Sequence, residues 1–113
     1  MPVKKSRPKM PPMVERIIEW SVGNNFKKYK VVVQHKKTKK TRTINFGDNR
    51  YQQYKDLVKP PRYSSKNHLD PKRRRNYFSR HSGIPTKTAA LIKEIRKSKG
   101  KFTPKILSHK YLW

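Results

Sequence analysis

The most regular stretch of the sequence is Lys28-Tyr29-Lys30-Val31-Val32-Val33-Gln34, in which Tyr29, Val31 and Val33 occupy every second position. This period of two is typical of a β-strand that buries one face. A polar loop at residues 35–40 separates it from Thr41-Arg42-Thr43-Ile44-Asn45-Phe46, where the alternation returns. The two runs predict a β-hairpin whose buried face is made of Tyr29, Val31, Val33, Ile44 and Phe46.

The best-marked helix follows Asp70-Pro71, which sets an N-cap acceptor directly before a first-turn proline. We expect this helix to extend from Pro71 to His81 and to end at Gly83, because glycine readily adopts the left-handed conformation found at helix C-termini. Leu69, which precedes the helix, and the apolar helix residues Tyr77 and Phe78 are expected to anchor it to the hairpin.

Three further segments give weaker signals. Ala89–Ser98 carries an apolar stripe that predicts a helix, with Gly100 as its stop. Val14–Val22 fits either a helical stripe or a strand face, and we favour a short helix that ends at Gly23-Asn24-Asn25. Apolar residues at helical spacing predict another short helix over about Arg50–Val58.

These elements predict a small α+β fold in which a two-stranded hairpin packs on short helices. An isolated hairpin is only marginally stable in water, so we expect contacts with a partner to stabilise the fold. The terminal Tyr111, Leu112 and Trp113 are expected to dock on the core, because exposed apolar residues would be a liability there. The chain divides into an extended basic Pro-rich arm (1–13), a short helix or linker (14–25), a hairpin and basic-helix core (26–83), a helical insert (84–100) and a docked aromatic tail (101–113).

The charge of the chain limits the classes of function that it can have. Lys and Arg make up 31 of the 113 residues, whereas Asp and Glu make up six, which leaves a formal net charge of +25. A chain this cationic repels itself when compact, so we expect a negatively charged partner. No cysteine is present, which excludes disulfides and thiolate metal sites. No apolar run approaches the length of a membrane span, and the sequence predicts none.

The cations that we expect to contact a polyanion or an acidic partner fall in the arm, the hairpin tip and the basic helix. Arginine forks match the geometry of phosphate and carboxylate groups. Four consecutive cations cover the whole circumference of the helix, so some must turn inward or towards a partner. A solvated or capping role is the alternative. The predicted contact residues are Lys4, Lys5, Arg7, Lys9, Lys36, Lys37, Lys39, Lys40, Lys72, Arg73, Arg74, Arg75 and Arg80.

The other chemistry-bearing residues favour structural roles. Aromatic rings can stack on single-stranded bases, but their positions on apolar faces favour core packing for Tyr29, Tyr51, Tyr54, Tyr63, Tyr77 and Phe78. His68 and His81 flank the basic helix near Asp70, yet they lack further metal ligands and a convincing nucleophile. We therefore predict no catalytic residue, no metal site and no cofactor, and we expect that the protein is not an enzyme.

A series of short motifs runs in order through residues 26–83 and 101–113. The motifs are Lys28-Tyr29-Lys30-Val31, Ile44-Asn45-Phe46-Gly47, Tyr51, Tyr54-Lys55-Asp56, His68-Leu69-Asp70, Lys72-Arg73-Arg74-Arg75, Tyr77, Arg80-His81, Gly83, Phe102-Thr103-Pro104 and Ser108-His109-Lys110-Tyr111-Leu112-Trp113. Together they resemble a family of small basic proteins encoded by giant and other large nucleocytoplasmic DNA viruses. That family often carries a Gly-rich link before its His-Leu-Asp segment, where this chain has Lys59-Pro60-Pro61-Arg62-Tyr63-Ser64.

The resemblance implies a structural protein of the virion, present in multiple copies and made in the infected cell. Our first expectation is a minor capsid protein on the inner face of the shell, which ties capsid proteins together through its basic surface. The alternative is a non-specific, histone-like protein that packages the genome by binding the phosphates of DNA or RNA. Composition alone favours a nucleic-acid-binding role, whereas the resemblance makes the capsid role slightly the more favoured of the two.

Overall fold

The computed structural model describes residues 10–113, and the predicted arm cations Lys4, Lys5, Arg7 and Lys9 lie outside them. The predicted α+β class is confirmed, since a three-stranded antiparallel sheet of order β1-β2-β3 packs against helices. Among these residues, no helix combines the length and the apolar character that crossing a membrane requires. The elements are β1 Glu15–Val22, β2 Lys27–His35, β3 Thr41–Asp48, α1 Pro71–Ser82, α2 Lys87–Ser98 and α3 Pro104–Tyr111, with a short 3₁₀ turn at Ser64–Lys66.

The predicted hairpin forms the centre of the sheet. Strands β2 and β3 pair so that Tyr29 lies opposite Phe46 and Val31 lies opposite Ile44. All five residues of the predicted face, including Val33, are buried. The period-two pattern therefore identified the face of the sheet on which the helices pack.

The segment before the hairpin is a strand, and the prediction of a short helix there was wrong. Strand β1 pairs with β2 and contains a β-bulge between Ile17 and Glu19. The extra residue places Ile17 and Trp20, which are three apart, in contact with the core side of the sheet. Ile18 is left half exposed. A bulged strand thus reproduces the i, i+3 spacing that normally indicates a helix.

The helix predicted over Arg50–Val58 was also wrong, since this segment is irregular. Its buried Asp56 carboxylate accepts hydrogen bonds from the Tyr29 hydroxyl at 2.5 Å and from the main-chain N–H of Val58 and Tyr63 at 3.0 Å. Side-chain bonds to the backbone offer an alternative to helical hydrogen bonds. They hold these residues as an ordered loop beside the sheet.

The helices begin and end at recognisable caps. Asp70 accepts hydrogen bonds from the first-turn N–H groups of α1, and Gly83 ends α1 with a φ of 71°. Helix α2 begins two residues before the predicted start, and both Lys99 and Gly100 follow it with positive φ. Helix α3 was not predicted, although the Thr103 hydroxyl accepts a hydrogen bond from the Ile106 N–H and caps it.

The helices share one core with the sheet. Helix α3 packs against β3 and α2, whereas α1 packs against α2. The prediction that Leu69, Tyr77 and Phe78 anchor the basic helix to the hairpin was therefore wrong, because α3 packs against β3 and Leu69 is 56% exposed. Leu91 and Ile95 of the predicted insert belong to the same buried cluster as the sheet. Leu112 is buried in that cluster, and Tyr111 and Trp113 pack against it.

The Leu107→Ala substitution tests the position of α3. Leu107 is fully buried, with 0% of its surface exposed, so truncation should lower the free energy of unfolding by about 2–5 kcal/mol. Leu69→Ala is the matched control, since Leu69 is 56% exposed and its truncation should cost less than about 0.5 kcal/mol. Urea unfolding measures both, and equal losses would contradict the packing of α3 on the sheet.

Candidate functional site

A cleft of about 830 Å³ opens between the sheet and the helices. It is bounded by the start of β2, the end of β3, the turn that follows β3, one face of α1 and the beginning of α3. Six cationic side chains from the described part of the chain line it, and we call it the basic cleft. These cations are Lys27, Lys28, Arg50, Arg73, Arg80 and Lys105.

Among residues 10–113, Asp48 is the single side-chain carboxylate that lines the basic cleft, and it is already paired. Asp48 lies 2.8 Å from the Arg50 guanidinium, which also holds the pKa of Asp48 well below its usual range. Arg50 is thereby neutralised by its neighbour. Within the same described residues, the other five cations of the cleft face no second lining side-chain carboxylate.

The cations differ in how far they are committed to other partners. Arg73 donates one hydrogen bond to Gln52 at 2.9 Å, which leaves most of its guanidinium N–H groups available. Lys105 donates to the His81 carbonyl at 3.1 Å and lies 3.8 Å from Glu94. Within residues 10–113, the side chains of Arg80 and Lys27 make no hydrogen bond or ion pair. These two are the cations most accessible to an anion.

Aromatic rings line another part of the basic cleft. Tyr77 and Trp113 stack with their ring centroids 4.1 Å apart and an angle of 4° between their planes. Arg74 turns inward behind them, because its Nε donates to the main-chain oxygen of Trp113 at 2.8 Å and its guanidinium lies over Tyr54. Arg74 is therefore a structural residue that fixes the end of the chain.

Lys28 is buried at the edge of the cleft, with only 2% of its surface exposed. Its ammonium donates hydrogen bonds to the Tyr51 carbonyl at 2.9 Å and to the Gln53 side chain. Burial, together with the nearby Lys66, lowers the pKa of Lys28 to about 8. Lys28 thus holds the turn after β3 in place and adds positive charge beneath it.

The structure separates the predicted contact residues. It brings Arg73 and Arg80 together in the basic cleft, while Lys72 and Arg75 are exposed on α1 outside it. The hairpin-tip residues Lys36, Lys37, Lys39 and Lys40 are exposed and do not line the cleft. The sequence analysis missed Lys27, Lys28, Arg50 and Lys105, because no local pattern distinguishes them from the other cations.

A buried polar chain joins the three helices behind the cleft. Ser82 of α1 donates to Glu94 of α2 at 3.0 Å and lies 2.8 Å from Nε2 of His109 in α3. The Tyr77 hydroxyl lies 2.9 Å from Nδ1 of the same histidine. Because the single hydroxyl proton of Ser82 goes to Glu94, Nε2 of His109 must donate to Ser82 and Nδ1 must accept from Tyr77.

This arrangement stabilises the helices and does not activate a nucleophile. A serine nucleophile needs a histidine that accepts its proton, whereas here His109 donates to Ser82. Both residues are also buried. The sequence analysis missed this chain, since its members are spread over residues 77–109.

The residues around the start of α1 that could have bound a metal ion, His68 and Asp70, form hydrogen bonds with the backbone instead. Across residues 10–113, no group of three or more His, Asp or Glu side chains is arranged to hold a metal ion. His68 accepts a hydrogen bond from the Asp70 N–H at 2.9 Å, and Asp70 caps α1. Both residues thus support the start of the basic helix.

Comparison of the chain with protein-family models, with curated proteins and with solved structures finds no match. The function is therefore inferred from the residues and geometry of this chain.

The buried histidine should make stability depend on pH. Burial, opposed by Glu94 and reinforced by His81, Lys105 and Lys87, lowers the pKa of His109 from 6.5 to about 4. The unfolded chain then binds more protons between these values, so stability is full above about pH 6.5 and falls as the pH drops towards 4. The difference between these two pKa values corresponds to a loss of roughly 3 kcal/mol in the free energy of unfolding.

The substitution His109→Gln removes the titrating group but keeps a donor and an acceptor. Urea unfolding at several pH values from 7 to 4 should give a shallower loss for this variant than for the wild type. Parallel losses in the two proteins would mean that other groups cause the acid sensitivity.

Proposed function

We propose that the protein is a non-enzymatic polyanion-binding protein, that its ligand is the phosphate backbone of nucleic acid, and that the basic cleft is the binding site. The observation that carries this proposal is the gathering, among residues 10–113, of six cations around one cleft whose single lining side-chain carboxylate, Asp48, is already paired with Arg50. Like charges at such short range repel one another. An anion in the cleft would relieve that repulsion.

The titration of a neighbouring histidine supports a positive potential in the cleft. His81 lines the cleft, and burial together with the charges of Arg80 and Lys105 lowers its pKa. The charges of Arg80 and Lys105, which oppose a proton on His81, would attract a phosphate group, whereas burial by itself would not. Counterions released from nucleic acid by these cations would add to the affinity.

The composition of the cleft favours nucleic acid over an acidic capsid protein. The centres of protein–protein interfaces are depleted in charged residues, whereas seven of the eighteen residues described around this cleft are charged, six of them cationic. Protein–nucleic acid interfaces are polar and strongly positive. These features support genome association as the first proposal, ahead of the minor capsid role that we expected first from the sequence.

The virion location rests on the sequence resemblance alone. Within the present proposal, the protein would sit on the genome inside the particle in multiple copies. The minor capsid role becomes the alternative outcome of a fractionation experiment. Gentle disruption of particles followed by nuclease treatment should release a genome-bound protein, whereas a capsid protein should stay with the shell fraction.

Charge-neutralising substitutions on α1 test the cleft directly. Arg73→Gln with Arg80→Gln removes two cations from the cleft, while Lys72→Gln with Arg75→Gln removes two exposed cations from the same helix outside it. Binding to a single-stranded oligonucleotide should weaken in the first variant. The slope of log affinity against log salt should become shallower by about 1.4, since each lost phosphate contact contributes about 0.7.

The control variant should keep both the affinity and the salt slope close to those of the wild type. Equal weakening of the two variants would mean that net charge, rather than the cleft, governs binding. Tighter binding to poly-glutamate than to the oligonucleotide at equal salt would support an acidic protein partner and overturn the nucleic-acid proposal.

A further inference from the structure

We propose that the basic cleft binds single-stranded nucleic acid, with bases stacked on the aromatic rings of Tyr51 and Phe26 while the phosphates meet the cleft cations. This inference rests on the proposed function and names its substrate class. It is carried by two exposed aromatic rings, which we call the rim aromatics: Tyr51, which lines the cleft, and Phe26, which lies beside the lining residue Arg50.

The two rings are unusually accessible for large aromatic side chains. Tyr51 is 65% exposed and Phe26 is 59% exposed. The expectation that Tyr51 packs in the core was therefore wrong. Tyr51 lines the basic cleft, and the Arg50 guanidinium lies 4.6 Å from the Phe26 ring centroid and 5.8 Å from that of Tyr51. The Arg50 guanidinium is thus within cation–π distance of both rings.

The segment that carries the rings is fixed by hydrogen bonds. The Asp48 carbonyl accepts from the Tyr51 N–H at 3.2 Å, and the Phe26 carbonyl accepts from the Asn49 N–H at 2.7 Å. The buried Lys28 ammonium holds the Tyr51 carbonyl from below. A platform ordered before binding loses little conformational entropy when a base stacks on it.

The rim aromatics distinguish a single strand from a duplex. In a duplex each base face is already covered by its neighbours, so an exposed ring has no base to receive. Single-strand binding proteins combine a positively charged groove with aromatic side chains on which bases stack. Here Tyr51 lines the same cleft as Arg73 and Arg80. The volume of the cleft lies in the range of sites that hold small ligands. One or two nucleotides would therefore enter it.

The experiment compares three probes of equal length, about 12 nucleotides each. They are oligodeoxythymidylate, the same backbone with abasic sites, and a duplex. Fluorescence anisotropy measures their binding to the full chain with wild-type sequence, with Tyr51→Ala, and with Tyr51→Phe as the matched control. Far-ultraviolet circular dichroism verifies that the variants fold.

Tyr51→Ala should weaken oligodeoxythymidylate binding about 5-fold to 100-fold, as expected for the loss of one stacked base. It should leave the abasic strand and the duplex nearly unchanged. Tyr51→Phe keeps the ring and should bind like the wild type. The wild type should also bind oligodeoxythymidylate more tightly than the abasic strand at the same salt concentration.

The outcomes separate this inference from the proposed function. Equal binding of all three probes, with no specific effect of Tyr51→Ala, would overturn base stacking and leave phosphate binding intact. Failure to bind any probe at low salt would overturn both. A loss caused by Tyr51→Ala on the abasic strand as well would mean that the ring shapes the cleft without stacking, and this result also overturns the inference.

Discussion

The fold depends on how six carboxylates are distributed in a chain with thirty-one lysines and arginines. Buried donors need acceptors, and a buried polar group without a partner is costly. Five of the six side-chain carboxylates accept hydrogen bonds from other groups of the chain, whereas Glu19 is exposed. Glu15 binds Arg42 and the Phe102 N–H, Asp56 binds Tyr29 and a loop, Glu94 binds Ser82, Asp70 caps α1, and Asp48 orders the turn that carries Arg50. Few carboxylates are therefore left to neutralise the surface.

This distribution links the interior to the proposed binding site. Helices α1 and α3 both line the basic cleft, and the hydrogen-bonded chain through Tyr77, His109 and Ser82 joins them. Fully satisfied polar networks favour one arrangement over others. The network thus fixes the separation between Arg73 on α1 and Lys105 on α3. Among the described residues, the cleft stays positive because Asp48 is paired with Arg50 and the other side-chain carboxylates do not line it.

Sequence reasoning succeeded where the signal is local. The alternating face of β2 and β3 and the Asp70-Pro71 cap each depend on neighbouring residues, and both were predicted. It failed where contacts between residues far apart in the sequence determine the local structure, as in the bulge near Ile18 and the loop held by Asp56. The basic cleft gathers residues from 27 to 113, and among so many lysines and arginines no pattern marks the ones that converge.

The most direct measurement of the central claim is an NMR titration of the isotope-labelled chain with oligodeoxythymidylate, following the backbone amides. The account predicts the largest shifts at residues 48–52, on α1 near Arg73 and Arg80, and at the start of α3. The β2–β3 loop carries four exposed lysines outside the cleft and should change little. Shifts that are largest in that loop, or spread evenly over all basic segments, would contradict the account.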